Sequence, residues 1–280
     1  MSYDAHIPPH EFNTVVNLLR SFFMKKGYIE THTQSRVSIL AACEDPHNLG
    51  VFKYIDGQYY PLPQTGQKWL EHDLLKDVTN APGFFCVSTS YRFEQNPIPG
   101  RHNTVFPMFE FEGKGSFGDM VTLWYELLSY LGFTHITYQT YEAVCSFYGI
   151  DIINSDIENL LTSTNRSACL LCAFPERSNP FWNMKREHGY AQKCDIIIHG
   201  MECAGSAERS TDKQEMIHNF YTIEGGRYAE TLFNTFGKDR VLKELDEFLM
   251  LPFVPRFGAG IGLTRLIQAM KVAQKHGLKP

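Results

Sequence analysis

Apolar residues recur at helical spacing in several stretches of the chain. Between positions 12 and 23 they follow the 3.6-residue period of an amphipathic helix, and Gly27 stands where a helix commonly ends. Residues 120–131 repeat that spacing and stop before Gly132, and residues 69–78 have a helical pattern too. These stretches predict helices that each pack one face on a core.

Other segments have the alternation of strands. FFCVSTSYRFE and TVFPMFEFEG are rich in β-branched and aromatic residues, and QNPIPGRHN between them carries turn residues, which predicts a hairpin with a long loop. Farther along, KCDIIIHGMECAG predicts a second hairpin that turns at His199 and Gly200. Cys169 and Cys172 have the spacing of a zinc pair, but no second pair follows, and their run ACLLCAF is typical of a buried strand.

The composition is that of an ordinary folded protein. The chain has 280 residues, 43% of them hydrophobic, and a net charge of −5, which excludes disordered and collagen-like classes and gives no general attraction to nucleic acid. It has no run of about eighteen apolar residues and no basic-then-apolar start, so we expect a soluble cytoplasmic protein without a membrane segment. Seven scattered cysteines indicate reduced thiols. No repeat or linker interrupts the chain, which favours one domain over residues 1–280.

A strand near the C-terminus carries glycines at every second position. Gly258, Gly260 and Gly262 would leave one strand face without side chains, so a flat ligand could lie against the backbone. Arg265 follows on the first turn of a predicted helix, where it could stack on that ligand or pair with its phosphates. A dinucleotide fingerprint is the alternative, but Leu263 stands in place of its last glycine and no βαβ unit follows.

The first hairpin carries a polar cluster that could complete such a site. Arg92 and Glu94 end one strand, Arg101 and His102 lie in the loop, and Phe106 begins the return strand. These groups could clamp a polyphosphate while the ring stacks on a base. The alternative is an exposed turn with a core phenylalanine.

The second hairpin carries two acids at a spacing that suits a divalent cation. A turn at residues 199–200 makes Asp195 and Glu202 diagonal neighbours on one face, although such acids are often only solvated surface. Arg209 has the opposite parity from Glu202, so a regular strand would turn it away. Gly205 could host a bulge that turns it inward.

Three segments in this order, SYRFE…RHNTVFPMFEFE, DIIIHGMECAGSAER and GAGIGLTRL, resemble the catalytic domain of class II aminoacyl-tRNA synthetases. The chain looks most like the aspartyl, asparaginyl and lysyl branch and the asparagine synthetases built on the same domain. The resemblance runs from about Phe12 to Met270, and it implies an α+β fold with an antiparallel sheet flanked by helices, assembled as a homodimer. The first motif reads Thr33-Gln34 where the family usually has Thr-Pro, which bears on the usual dimer contact.

At the phosphate end, the resemblance implies a role for five residues. Arg92 would bind the α-phosphate and the carbonyl of the amino acid, and Arg101 and His102 would reach the outer phosphates. Asp195 and Glu202 would hold magnesium.

At the adenine end, Phe106 and Arg265 would sandwich the base and Glu94 would contact its edge. Gly260 and Gly262 would form the floor beneath the nucleotide. The resemblance thus implies ATP and Mg²⁺ as substrate and cofactor.

The resemblance also assigns the amino-acid end. Glu44 matches the acid that binds the α-ammonium group, and Arg209 matches the arginine directed at the substrate side chain. TGQKWLE resembles the asparaginyl pattern Ser-Gly-Gln-x-x-x-Glu with Gln67 and Glu71 in register, and Leu70 stands where users of aspartate carry lysine. This pattern favours asparagine, unless Glu71 lies on the solvent face of its helix.

The implied protein is an ATP-dependent ligase that converts asparagine or aspartate to an aminoacyl adenylate, with Arg92 and Arg265 as its catalytic residues. The sequence does not identify the molecule that accepts the acyl group. Aspartyl and asparaginyl synthetases carry an N-terminal anticodon-binding barrel, and here the resemblance begins almost at once, so we expect a catalytic domain alone and weak tRNA binding. The alternatives are an ammonia-dependent asparagine synthetase and a catalytically silent protein that binds a partner or senses an amino acid.

Overall fold

A computed structural model describes residues 7–94, 103–162 and 167–275. Within these residues the α-helices are α1 (Pro9–Lys25), α2 (Gln67–Leu75), α3 (Phe117–Tyr130), α4 (Tyr141–Tyr148), α5 (Ser155–Leu161), α6 (Lys213–Thr222), α7 (Arg227–Phe236), α8 (Lys238–Leu249) and α9 (Leu263–Lys275). The helices expected before Gly27, over 69–78 and over 120–131 correspond to α1, α2 and α3, and α2 begins and ends a few residues earlier than expected.

The strands of the described residues are β1 (Ile29–Glu30), β2 (Val51–Lys53), β3 (Tyr59–Pro61), β4 (Gly83–Tyr91), β5 (Val105–Lys114), β6 (His135–Thr140), β7 (Ser167–Pro175), β8 (Arg186–Glu187), β9 (Tyr190–Ile198), β10 (Met201–Arg209) and β11 (Arg256–Gly262). Both expected hairpins are confirmed as β4–β5 and β9–β10. His199 and Gly200 turn the second hairpin with φ angles of 48° and 74°, the left-handed conformation that a two-residue turn requires.

The main sheet has the strand order β1-β4-β5-β11-β10-β9-β7-β6, with β8 added to β9. Its centre is antiparallel, and only the outer pairs β1–β4 and β6–β7 are parallel. β2 and β3 form a separate ribbon. Because β11 pairs with both β5 and β10, it joins the two hairpins into one surface. The expected antiparallel sheet flanked by helices is confirmed.

One face of the sheet is apolar and is covered by α1, α3 and α9. Phe109 and Phe111 project from β5 on this side, and Phe23 of α1 packs on both, with its ring centroid 5.2 Å and 4.6 Å from theirs. α3 begins with a capping box in which Ser116 and Asp119 satisfy each other's backbone N–H groups. The main core therefore lies between these helices and the sheet.

The opposite face of the sheet is polar. Glu110 and Glu112 alternate with the two phenylalanines of β5, so they project to the other side, where both are fully buried. α2 packs over them, and α6, α7 and α8 enclose a second apolar cluster around Trp182. This arrangement leaves a polar layer between the sheet and its second cover.

All seven cysteines are free and buried, and Cys169 and Cys172 lie in β7 as expected. None of the helices among the described residues is long and apolar enough to cross a membrane.

Replacing Phe23 tests the main core. Phe23→Ala removes a fully buried ring and leaves a cavity, so we expect a loss of about 3–5 kcal/mol in the free energy of unfolding, measured by urea denaturation. Met24→Ala is the matched control on the same helix, because Met24 is 54% exposed and should change stability by no more than about 0.5 kcal/mol. Equal losses in the two variants would contradict this description of the core.

Candidate active site

A cleft of about 470 Å³ opens on the polar face of the sheet. It brings together most of the residues that the sequence singles out. Those that line it are Glu44, Gln67, Arg92, Glu94, Phe106, Glu202, Arg209, Gly260, Gly262 and Arg265. Asp195 and Glu71 lie beside the cleft, and Arg101 and His102 lie outside the described residues.

The glycines of β11 form only part of the expected floor. A Cβ on Gly258 would lie 1.7 Å from Oε1 of Glu112, so a protein carboxylate already fills that space. Gly260 is also confined, because its Cβ would lie 2.8 Å from Cε of Met108. At Gly262 the nearest atom would be 3.7 Å away. Gly260 and Gly262 both line the cleft, but only Gly262 has open space above the strand, so the expected glycine floor is open at Gly262 alone.

Two arginines stand at the nucleotide end predicted for the cleft. Arg265 lies in the first turn of α9, as expected, and its Nη1 donates to the carbonyl of Glu202 at 2.8 Å. Arg92 follows β4, with its guanidinium 5.9 Å from the ring centroid of Phe106. Nη2 of Arg92 is also 3.7 Å from Oε2 of Glu44. Arg92 therefore stands between the ring and the acid predicted to bind the ammonium group.

Gln64 organises the loop that carries Glu44. Its Oε1 accepts from the backbone N–H groups of Glu44 at 2.9 Å and Asp45 at 2.7 Å. Its Nε2 donates to the carbonyls of Asp45 and Asn48 at 2.9 Å and 3.0 Å. Sequence reasoning missed Gln64, since its partners lie about twenty residues away and no local pattern connects them.

A β-bulge turns Arg209 toward the cleft. The register of β10 against β9 shifts between Glu202 and Ala204, so Cys203 is the extra residue. The expected bulge is thus present, but it lies at Cys203 and not at Gly205. Because one extra residue reverses the alternation, Glu202 and Arg209 share a face despite their opposite parity.

Arg209 is held by protein acceptors. Its Nε and Nη2 donate to Oε1 of Glu112 at 3.1 Å and 2.5 Å, and Nη2 also donates to Oε1 of Gln67 at 2.7 Å. Burial raises the pKa of Glu112 to about 7, although the Arg209 cation opposes this. These contacts fix the guanidinium at the wall of the cleft, with Gln67 beside it.

Glu71 does not line the main cleft, but it lines a smaller cavity behind it together with Glu44, Gln67 and Arg209. It is 1% exposed, and its Oε1 accepts from Nε and Nη2 of Arg256 at 2.8 Å and 2.5 Å. Oε2 accepts from Lys68 and Asn183, both at 3.1 Å. A carboxylate offers about four acceptor positions, and these donors use them. Glu71 therefore neither lines the main cleft nor lies on a solvent face, because α2 carries it one turn deeper than Gln67.

The donors around Glu71 set its charge. Burial alone would oppose ionisation, but the Lys68 and Arg256 cations lower the pKa of Glu71 to about 2. Burial in turn lowers the pKa of Lys68 to about 8, with Glu71 opposing that shift. The carboxylate is therefore ionised at neutral pH, and its hydrogen-bond partners are the protein's own Lys68, Asn183 and Arg256.

A small cavity of about 20 Å³ lies behind the cleft, and the two share Glu44, Gln67 and Arg209. Asn183 lines this inner cavity and is 1% exposed. Its Nδ2 faces Glu71, so its Oδ1 points elsewhere and accepts no hydrogen bond within the described part of the chain. No motif or periodicity in the sequence points to Asn183.

Glu110 supports the cleft from within β5. It accepts from Oγ1 of Thr65 and Oγ of Ser88, both at 2.5 Å, and from the N–H of Gly66 at 2.7 Å. Burial raises the pKa of Glu110, and the hydroxyl donors oppose the shift. The motif FEFE carried the signal for Glu110 and Glu112, since alternation with phenylalanine predicts two acids on the face opposite the core.

Asp195 and Glu202 converge as predicted. A Cβ on Gly205 would lie 3.3 Å from Oδ1 of Asp195 and 3.4 Å from Oε1 of Glu202, so both carboxylates flank one point. Nζ of Lys193, however, donates to Oδ2 of Asp195. Burial raises the pKa of Asp195 to about 7, with Lys193 opposing. Among the described residues no three His, Cys, Asp or Glu side chains group as metal ligands, so with Lys193 in place the pair does not fit a resident magnesium ion.

The fold is similar to that of several solved structures. Asparaginyl-tRNA synthetase from Pyrococcus horikoshii, complexed with asparaginyl-adenylate, superposes with a TM-score of 0.75 at 19% identity and covers 93% of this chain and 64% of its own. The asparaginyl-tRNA synthetase from Entamoeba histolytica superposes with a TM-score of 0.71 at 17% identity and covers 93% of this chain and 63% of its own. A putative aspartyl-tRNA synthetase from Leishmania major Friedlin superposes with a TM-score of 0.72 at 16% identity and covers 94% of this chain and 63% of its own.

These identities establish the fold alone, and the chain spans less than two thirds of each of these proteins. No curated protein matches the chain. The model of the family described as tRNA synthetases class II (D, K and N), however, matches residues 11–275, nearly the whole chain. The chain therefore belongs to the class II tRNA synthetase family of the aspartyl, lysyl and asparaginyl type.

Proposed function

We propose that this protein activates asparagine or aspartate with ATP to form an aminoacyl adenylate and releases pyrophosphate. The observation that carries the proposal is one continuous cleft lined by two arginines, Arg92 and Arg265, and by a second pair, Glu44 and Arg209. The first pair suits phosphates, and the second suits the ammonium group and side chain of an amino acid. Membership of the family supports the same reaction.

The chemistry needs no nucleophile from the protein. An oxygen of the substrate carboxylate attacks the α-phosphorus of ATP, and the bond from that phosphorus to the bridging oxygen of pyrophosphate breaks. Arg92 and Arg265 would stabilise the negative charge that develops on the phosphoryl oxygens. The cleft would hold the two substrates in line, which removes much of the entropic cost of the encounter.

We further propose that asparagine is preferred over aspartate, and that Asn183 carries the preference in place of Glu71. Arg209 would donate to the side-chain oxygen of the substrate. The Oδ1 of Asn183 needs a donor, which the amide nitrogen of asparagine supplies and the carboxylate of aspartate lacks. Glu71 contributes by accepting from Nδ2 of Asn183, which fixes the direction of the carboxamide.

The proposal is tested by pyrophosphate exchange screened across the twenty amino acids. We expect exchange with asparagine above all. Exchange with aspartate together with asparagine formation on adding ammonium would instead identify an ammonia-dependent asparagine synthetase. Absence of exchange with every amino acid, from protein that binds ATP in calorimetry, would identify a catalytically silent protein and contradict the proposal.

Arg265→Ala should reduce exchange by a factor that corresponds to about 2–4 kcal/mol of lost transition-state stabilisation. The fold should survive, because Arg265 lines the cleft and lies outside the apolar core. Arg20→Ala is the matched control, since it removes the same charge from α1 on the other face of the sheet. Exchange by the Arg265 variant within threefold of wild type would contradict the proposed role.

Asn183→Ala should lower the ratio of exchange with asparagine to exchange with aspartate by at least about tenfold, because the substrate amide loses its acceptor. Asn103→Ala serves as the control, since Asn103 also lines the cleft but lies at the end of the first hairpin's loop, just before β5. It should leave the ratio unchanged. An unaltered ratio in a folded Asn183 variant would contradict the proposed role of this residue in selecting the substrate.

We expect only weak, unselective tRNA binding by this chain, because its net charge of −5 offers few cations to displace the counter-ions of a phosphate backbone. Fluorescence anisotropy with a labelled tRNA pool at physiological salt would measure it. Sub-micromolar binding of one tRNA would overturn the expectation.

The expected homodimer stays a proposal. Gln34, at the position where the family usually has proline, donates to the carbonyl of Thr89 at 2.9 Å within the same chain.

A further inference from the structure

Lys193 stands beside the carboxylate pair that would otherwise take a cation. It precedes Asp195 by two residues in β9, so both side chains leave the same face of the sheet. Its Nζ donates to Oδ2 of Asp195 and also lies 3.7 Å from the ring centroid of Phe174. The ammonium group is therefore held by an ion pair on one side and an aromatic ring on another.

The cluster around Lys193 is compact and faces the cleft. Asp195 pairs with Gly205 across the hairpin, and the missing side chain of Gly205 leaves room for the carboxylates of Asp195 and Glu202 to approach each other. Lys193, Glu202 and Gly205 all line the cleft. The lysine thus belongs to the same wall as the residues proposed to bind the nucleotide.

A divalent cation and the Lys193 ammonium compete for the same oxygens. A cation bridging Asp195 and Glu202 would displace Lys193 from Oδ2 or sit close to its positive charge, and repulsion between like charges is strong away from bulk water. Displacement would also remove the contact with the Phe174 ring. Hard divalent cations need several oxygen ligands, and the described residues offer no third His, Cys, Asp or Glu side chain to this pair.

We propose that Lys193 is the built-in counter-ion of the Asp195–Glu202 pair, so that the protein by itself holds no divalent cation there. If the proposed function is correct, magnesium then enters the cleft only with the nucleotide whose phosphates carry it. The first statement does not depend on that function, since it concerns the protein without any substrate.

The test is a titration of the full, nucleotide-free chain with Mn²⁺, followed by the electron paramagnetic resonance of the free ion. We expect weak binding by the wild-type protein and at least tenfold tighter binding by Lys193→Met, since the pair then lacks its counter-ion. Adding Asp195→Asn to Lys193→Met should remove the gain. Lys193→Arg should behave as wild type, because it keeps the positive charge.

Lys185→Met is the matched control, because Lys185 pairs with Glu208 at 3.1 Å and does not line the cleft. It should not change Mn²⁺ binding. A wild-type site as tight as that of Lys193→Met, or a folded Lys193→Met protein without any gain, would overturn the proposal.

If Lys193→Met fails to fold, two measurements of Mn²⁺ binding still test the proposal. One uses Lys193→Gln, and the other compares wild type with Asp195→Asn. Tight wild-type binding that Asp195→Asn abolishes contradicts the proposal. None of these measurements requires catalysis. A protein that excludes Mn²⁺ but shows no pyrophosphate exchange would therefore support the role of Lys193 and contradict the proposed function.

Discussion

The ion pair between Glu71 and Arg256 is the interaction on which the polar face depends. It joins α2 to β11 in a place where both side chains are at most 1% exposed. A buried ion pair stabilises a protein only when its remaining hydrogen-bonding groups are satisfied, and Lys68 and Asn183 complete those of Glu71. With α2 fixed in this way, Gln67 is carried to the wall of the cleft.

The neighbouring acids extend this arrangement along β5. Glu112 is matched by a cation, Arg209, whereas Glu110 is satisfied by hydroxyl and backbone donors alone. Losing one member of such a layer leaves an uncompensated charge in the interior. The contacts that hold Arg209 at the cleft, with Glu112 of β5 and Gln67 of α2, therefore also join α2 to the sheet.

Local patterns were sufficient for part of the fold and for much of the cleft. The helices α1, α2, α3 and α9, both hairpins and the position of Arg265 follow from periodicity and turn residues over short windows, whereas α6 to α8 were not predicted. The partners of Glu71 could not be found in this way, because Arg256 lies 185 residues away and meets it only through the strand order. The positions of Glu110 and Glu112 could be predicted from the alternation in FEFE, whereas Asn183 stands out only because it lines a cavity, which no sequence pattern describes.

The bulge at Cys203 changes which side chains of β10 face the cleft. Before it, β10 presents Glu202 to the cleft beside Arg265, and after it the opposite parity presents Arg209 to the cleft beside Gln67. The chemical identity of the extra residue matters less than its presence, because the pairing of β10 with β9 and β11 holds both halves in register. A change of one residue in the length of this strand would therefore reverse the alternation again and turn Arg209 away from the face that carries Glu202.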